Sequence, residues 1–181
     1  MNNAKLLRIK FNGLANIPEE GLVIDFLPQA NINHDEYIFN RNFVKLENNL
    51  YYPKVIIMTG ANATGKTTIL ELINYALSLA TGSPIAQDYK FVPLIKGELR
   101  IELIAYSDSF IFKNNYNIVI SKGKLESKLD EFYAKEYNKK DLKNIFSMDN
   151  AENIVNFFDM ELNPEGILLL RAQKVDFSFH Y

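Results

Sequence analysis

The sequence of 181 residues contains no cysteine and only two histidines, His34 and His180, which lie far apart. The absence of cysteine excludes disulfides, Cys-ligated zinc and a cysteine nucleophile. Neither histidine belongs to a cluster with the spacing of metal ligands, so no histidine metal site is predicted. A chain of this length fits one domain and can bury a core, so we interpret residues 1–181 as a single domain.

A strong charge of one sign and a long apolar run are also missing. With 20 Lys and Arg against 22 Asp and Glu, the formal net charge is −2, and no basic stripe indicates a nucleic-acid interface. No apolar stretch approaches the roughly 20 residues that span a bilayer. Residues 1–5 lead into a mixed run and not into the apolar core of a signal peptide. We therefore expect a cytoplasmic protein with no membrane partner.

Apolar periodicity predicts that most of the chain before residue 123 forms β-strands. The predicted strands cover residues 5–11, 22–27, 43–46, 54–58, 98–106, 110–112 and 116–121. The run at 54–58 is continuous and β-branched, which is typical of a strand buried on both faces. The last three strands predict an antiparallel meander, in which Asn114 and Asn115 form a hairpin turn.

Helical spacing of apolar residues marks two other parts of the chain. A helix is predicted over residues 66–80, with Gly82 as its stop. After Gly123 the pattern changes, and Leu125, Leu129 and Phe132 recur at helical spacing. We therefore predict a small helical region over 124–181, with helices at 124–137, 141–146 and 150–160. The predicted fold class is α/β, in which a strand–loop–helix unit joins an antiparallel β-layer.

The loop between the strand at 54–58 and the helix at 66–80 carries the pattern G-x-x-x-x-G-K-[ST] of a phosphate-binding loop (P-loop). Glycines permit close approach of the backbone to phosphate, and the loop and the helix N-terminus supply N–H donors. We expect Lys66 to reach the β- and γ-phosphates and the Thr67 hydroxyl to ligate Mg²⁺. The motif thus predicts that Mg·ATP binds at Gly60, Ala61, Asn62, Ala63, Thr64, Gly65, Lys66, Thr67 and Thr68.

Residues 59–72, with Asn62 between the glycines, resemble the loop of ABC-like ATPases. The resemblance is closest to the group that includes the OLD-family ATPases and the SMC and RecN heads. The strand at 6–11, the pair Asp25–Phe26 and the β-rich stretch 98–121 are similar to this group as well. The resemblance implies an ABC-ATPase-like lobe that couples ATP hydrolysis to an effector or nucleic-acid partner, in DNA repair or phage defence. It also implies that Gln87 senses Mg²⁺ and the γ-phosphate.

The sequence departs from this group in lacking a signature motif, a Walker B strand ending in Asp-Glu, and a switch histidine. The nearest imitation of Walker B is residues 154–161, where the pattern favours a helix instead. The resemblance therefore implies only an N-terminal lobe, which acts as a homodimer or with a missing C-terminal half, and with a nucleic acid or an effector nuclease. Alone, such a lobe is expected to bind ATP weakly and hydrolyse it poorly.

Other interpretations of the P-loop remain open. Residues Asn138, Lys139, Lys140 and Asp141 fit N-K-x-D, the guanine-reading motif of GTP-binding proteins, although they follow a segment that is predicted to be helical. A non-catalytic nucleotide-binding subunit and a small-molecule kinase share the loop. Beyond it, Tyr89 and Phe91 are candidates for stacking on adenine.

Overall fold

The computed structural model describes residues 4–15, 17–28, 41–47, 50–60, 65–83, 89–107, 109–138, 144–149 and 151–156, with the backbone alone at 129–130 and 152–156. Eight strands and one long helix are found in these ranges. They are β1 (Lys5–Leu14), β2 (Leu22–Asp25), β3 (Phe43–Glu47), β4 (Leu50–Pro53), α1 (Lys66–Thr81), β5 (Ile95–Ser107), β6 (Phe110–Ser121), β7 (Lys124–Glu136) and β8 (Glu152–Asn156). A 3₁₀ turn, Val92–Leu94, precedes β5.

Six strands form one sheet in the order β2-β1-β5-β6-β7-β8, and every pairing in it is antiparallel. Strands β3 and β4 form a separate antiparallel hairpin. Strands β6 and β7 are joined by a two-residue turn at Lys122 and Gly123, both at positive φ (49° and 77°). This conformation matches the right-handed twist of hairpin strands, and it explains why a glycine stands there.

The alternation of apolar residues along the strands creates a core on each face of the sheet. On one face, α1 buries Leu72, Tyr75 and Leu79 against Phe11 and Ile101. On the other face, Leu50 of the β3–β4 hairpin packs with Leu7, Ile104, Tyr106, Ile111 and Ile145. Neighbouring residues of β5 therefore belong to opposite cores, as the two-residue period of a strand requires.

The predicted α/β fold class is wrong. A P-loop α/β fold has a parallel sheet flanked by helices, whereas all strand pairs of the described residues are antiparallel and a single α-helix packs on one face. Strands joined by tight turns pair antiparallel because a parallel neighbour requires a long crossover connection. The strands predicted at 5–11, 22–27, 43–46 and 98–106 and the helix at 66–80 are confirmed. The stop at Gly82 is also confirmed, since this residue caps α1 in the left-handed conformation.

The helical region predicted after Gly123 is also wrong, since residues 124–136 form β7 and residues 152–156 form β8. The misleading spacing comes from a β-bulge, where residue 130 is inserted between the pairs Tyr116–Leu129 and Asn115–Glu131. Leu125 and Phe132 are seven residues apart, yet both pack on the same core. The inserted residue shifts the strand period by one, so apolar positions separated by four and three residues imitate a helix.

Two further predictions are corrected by the same strands. Asn114 and Asn115 lie in the middle of β6 and not in a hairpin turn. Of the helix predicted at 150–160, residues 152–156 are a strand, and residues 157–160 lie outside the described residues. No helix within the described ranges is both long and apolar enough to traverse a bilayer.

Candidate phosphate-binding site

The second glycine of the P-loop has the backbone conformation that the motif requires. Gly65 lies directly before α1 in the left-handed region, with φ 85° and ψ 9°. A Cβ built on Gly65 has no atom within 4 Å. The glycine is therefore needed for its backbone torsion and not because a neighbour leaves no space for a side chain.

The N-terminus of α1 provides donors for an anion. The first intrahelical bond runs from the N–H of Ile69 to the carbonyl of Gly65, at 2.9 Å. Gly65 supplies no side-chain cap, and the first turn of α1 contains no acidic residue. A helix N-terminus of this kind presents backbone N–H groups and the positive end of the helix dipole, which together favour a phosphate.

Lys66 connects the two ends of the loop. Its Nζ donates a hydrogen bond to the carbonyl oxygen of Gly60, at 2.7 Å. The ammonium group therefore links Gly60, the first glycine of the motif, to the first turn of α1. Thr67 is exposed on the same turn, as a ligand of an incoming metal ion must be, while Thr68 is half-buried. Ala61, Asn62, Ala63 and Thr64 lie outside the described residues.

An aromatic cluster packs α1 against the segment that precedes β5. Tyr75 packs edge-on against Tyr89 and Phe91, with ring centroids 5.4 and 5.3 Å apart. Burial raises the pKa of the Tyr75 hydroxyl far above its usual range, and Tyr89 adds to the shift. Phe91 is completely buried, so the prediction that it stacks on adenine is wrong. Tyr89 is half-buried and stacks on Phe91. The N–H of Lys90 also donates to the Glu71 carboxylate of α1, at 2.8 Å.

The segment before the loop differs from its prediction. Residues 55–60 form no strand, and the side chains of Val55 to Met58 are exposed. The prediction of a buried strand at 54–58 is therefore wrong. A continuous apolar run forms a buried strand only where neighbours pair with both of its edges. The six-stranded sheet is assembled from other segments and does not include this run.

Several predicted site residues lie outside the described residues, namely Gln87, Lys139, Lys140, Asp141 and residues 157–161 of the Walker B imitation. Asn138 lies two residues after the end of β7, so the segment before the N-K-x-D pattern is a strand and not the predicted helix. Within the described residues, no group of three or more His, Asp or Glu side chains is arranged to hold a metal ion.

A polar cleft of about 520 Å³ lies on the open part of the sheet, and sequence reasoning missed it. Its lining includes Lys10, Asn12 and Arg100, and its acidic side chains are paired. Glu102 lies 2.6 Å from the Lys113 ammonium, and Glu131 accepts a hydrogen bond from the Asn115 amide at 2.6 Å. The alternating polar residues of these strands were the sequence signal for the cleft. Because its acidic side chains are paired, we interpret the cleft as a solvated face of the sheet.

Comparisons of the chain with protein-family models, with curated proteins and with solved structures find no match.

Proposed function

We propose that residues 60–68 bind the triphosphate of Mg·ATP. One observation carries the proposal: a left-handed glycine, Gly65, opens an uncapped helix N-terminus, and the next residue is a lysine that reaches back across the loop to Gly60. Backbone donors of the first turn of α1 and the ammonium group of Lys66, which is held at Gly60, thus flank the loop. This is the arrangement that a polyphosphate requires.

Each group has a distinct role in this proposal. The β- and γ-phosphates replace the Gly60 carbonyl as the acceptor of the Lys66 ammonium. The first-turn N–H groups of α1 bind phosphate oxygens, and the Thr67 hydroxyl ligates Mg²⁺. The metal ion neutralises phosphate charge, so binding should depend on Mg²⁺.

Hydrolysis also requires a carboxylate for the metal ion and a base or polarising group for water, and the sequence carries no convincing Walker B or signature motif to supply them. We therefore assign ATP binding to this chain and hydrolysis to an assembly, either a homodimer or a complex with another polypeptide. The resemblance of the loop to ABC-like ATPases supports an effector nuclease or nucleic acid as the downstream partner, in DNA repair or phage defence in the cytoplasm.

The test is ATP binding by the Lys66→Ala variant. A charge-assisted hydrogen bond contributes about 1.5–3 kcal/mol, so its loss should weaken binding by about 10- to 100-fold. Isothermal titration with Mg·ATP measures the change, and Lys96→Ala, which removes an exposed lysine far from the loop in sequence, should bind like the parent. If Lys66→Ala keeps the parental affinity, the site is not at this loop.

Two further measurements separate the alternatives. Competition with GTP tests the N-K-x-D interpretation, which requires GTP to bind more tightly than ATP. Steady-state ATP hydrolysis by the chain alone tests the assignment of hydrolysis to an assembly. We expect slow turnover, and rapid turnover would show that the chain is a complete enzyme.

A further inference from the structure

Four consecutive apolar side chains directly before the P-loop face solvent, and we call Val55, Ile56, Ile57 and Met58 the apolar strip. Their exposed fractions are 73%, 52%, 79% and 37%. Exposure thus alternates along the strip, with Val55 and Ile57 more open than Ile56 and Met58. This two-residue period is typical of an extended segment that packs one face against the rest of the protein.

The backbone of the strip is as open as its side chains. The N–H of Lys54 bonds to the Asn42 carbonyl, and the Gly60 carbonyl accepts from Lys66. Between these two points, residues 55–59 make no hydrogen bond in the part of the chain that the structure describes. As far as the described residues go, the strip therefore offers unpaired N–H and C=O groups on both edges, together with apolar side chains of which three are β-branched.

These properties determine the chemistry of the occupant. A lipid surface or a small apolar molecule covers side chains but leaves the backbone groups unpaired, which is costly once water is removed. A nucleic acid brings charge to the side chains of residues 55–58, which are all apolar. Only an extended polypeptide supplies main-chain hydrogen bonds and apolar side chains together, as in β-strand addition.

We propose that the apolar strip docks an extended, apolar β-strand of a partner polypeptide. Pairing converts residues 55–59 into a strand and covers Val55 and Ile57. The inference goes beyond nucleotide binding and depends on different residues, so each of the two proposals can fail while the other holds.

The probe is a fluorescein-labelled ten-residue peptide with an alternating Val and Thr core, because main-chain pairing tolerates a range of side chains. Its control is the same peptide with N-methyl groups on alternate core residues, which cannot pair. Fluorescence anisotropy with the full chain should show binding of the first peptide and at least tenfold weaker binding of the second. Hydrogen exchange should show protection of the amides at 55–59 when the first peptide binds.

The matched variants are Ile57→Pro and Ile57→Val. Proline removes an N–H that is unpaired in the free chain, so the fold is retained while strand pairing is blocked. We expect Ile57→Pro to bind the peptide at least tenfold more weakly than Ile57→Val, and Lys66→Ala to bind it like the parent. Absence of binding, equal affinity for both peptides, or protection outside residues 55–59 would overturn the proposal. Concentration-dependent dimerisation that protects 55–59 without peptide would assign the strip to a second copy and also overturn it.

Discussion

Replacing Gly65 by alanine tests whether the left-handed residue of the loop matters for function, and Gly123→Ala is its matched control. Both glycines have similar torsions, with φ 85° and 77°, and a Cβ at either position has no atom within 4 Å. A left-handed alanine costs roughly 1–2 kcal/mol. The two substitutions therefore differ in location and not in local chemistry.

At Gly65 no packing holds the strained residue in place, so we expect the variant loop to relax to a right-handed or extended conformation. Binding of ATP must then restore the left-handed torsion. A cost of roughly 1–2 kcal/mol corresponds to about 5- to 30-fold weaker binding, since 1.4 kcal/mol is tenfold. Gly123 lies in the β6–β7 turn, so Gly123→Ala should leave the affinity unchanged and lower the free energy of unfolding by about 1 kcal/mol.

Titration calorimetry with Mg·ATP and urea unfolding of both variants provide the comparison. A folded Gly65→Ala protein with parental affinity would refute the argument, because the left-handed torsion would then be irrelevant to the ligand. An equal loss of affinity in Gly123→Ala would refute it as well, since the effect would then be global.

Two predictions concern the scaffold. Gly13→Ala should lower the free energy of unfolding, measured in urea, by about 3 kcal/mol or more. The reason is that φ is 90° and the new Cβ would lie 1.8 Å from the Glu98 carbonyl oxygen. A loss of stability no greater than that of Gly123→Ala would contradict this prediction. Because burial raises the pKa of the Tyr75 hydroxyl, this group ionises at lower pH in the unfolded chain than in the folded protein. The stability that the neutral Tyr75 hydroxyl contributes is therefore present below about pH 10 and is lost as the pH rises further. Urea unfolding between pH 9 and 11 should therefore show a weaker pH dependence for Tyr75→Phe than for the parent, and identical slopes would contradict the assignment.

Secondary structure was predicted correctly where the apolar spacing fitted only a strand or only a helix. Alternation located β1 and β5, and apolar spacing with Gly82 located α1, because each of these elements places a periodic row of apolar side chains in the core between α1 and the sheet. The motif also placed Gly65 at the start of α1, where the glycine is left-handed, while phosphate binding by the loop stays a prediction.

The failures arose where distant pairing decides the structure. The bulge in β7 depends on the partner strand β6, so its shift of period is invisible within residues 124–136 themselves. The strip at 55–58 has the composition of a buried strand, but burial requires neighbours that the described residues do not supply. Likewise, composition located Tyr89 and Phe91 in a loop, while their packing on Tyr75 is a tertiary contact.

The hydrogen bond from Lys66 to the carbonyl of Gly60 makes that carbonyl a competitor of any anion for the same ammonium group. An anion that binds the ammonium group must displace this uncharged oxygen. An ammonium group is attracted more strongly to a charged oxygen than to a neutral carbonyl, so the exchange favours the anion that brings the most negative charge to Lys66. If the loop binds ATP as proposed, a triphosphate should displace the Gly60 oxygen more readily than orthophosphate does, because it carries more negative charge, and this preference is set before any contact with base or ribose is made.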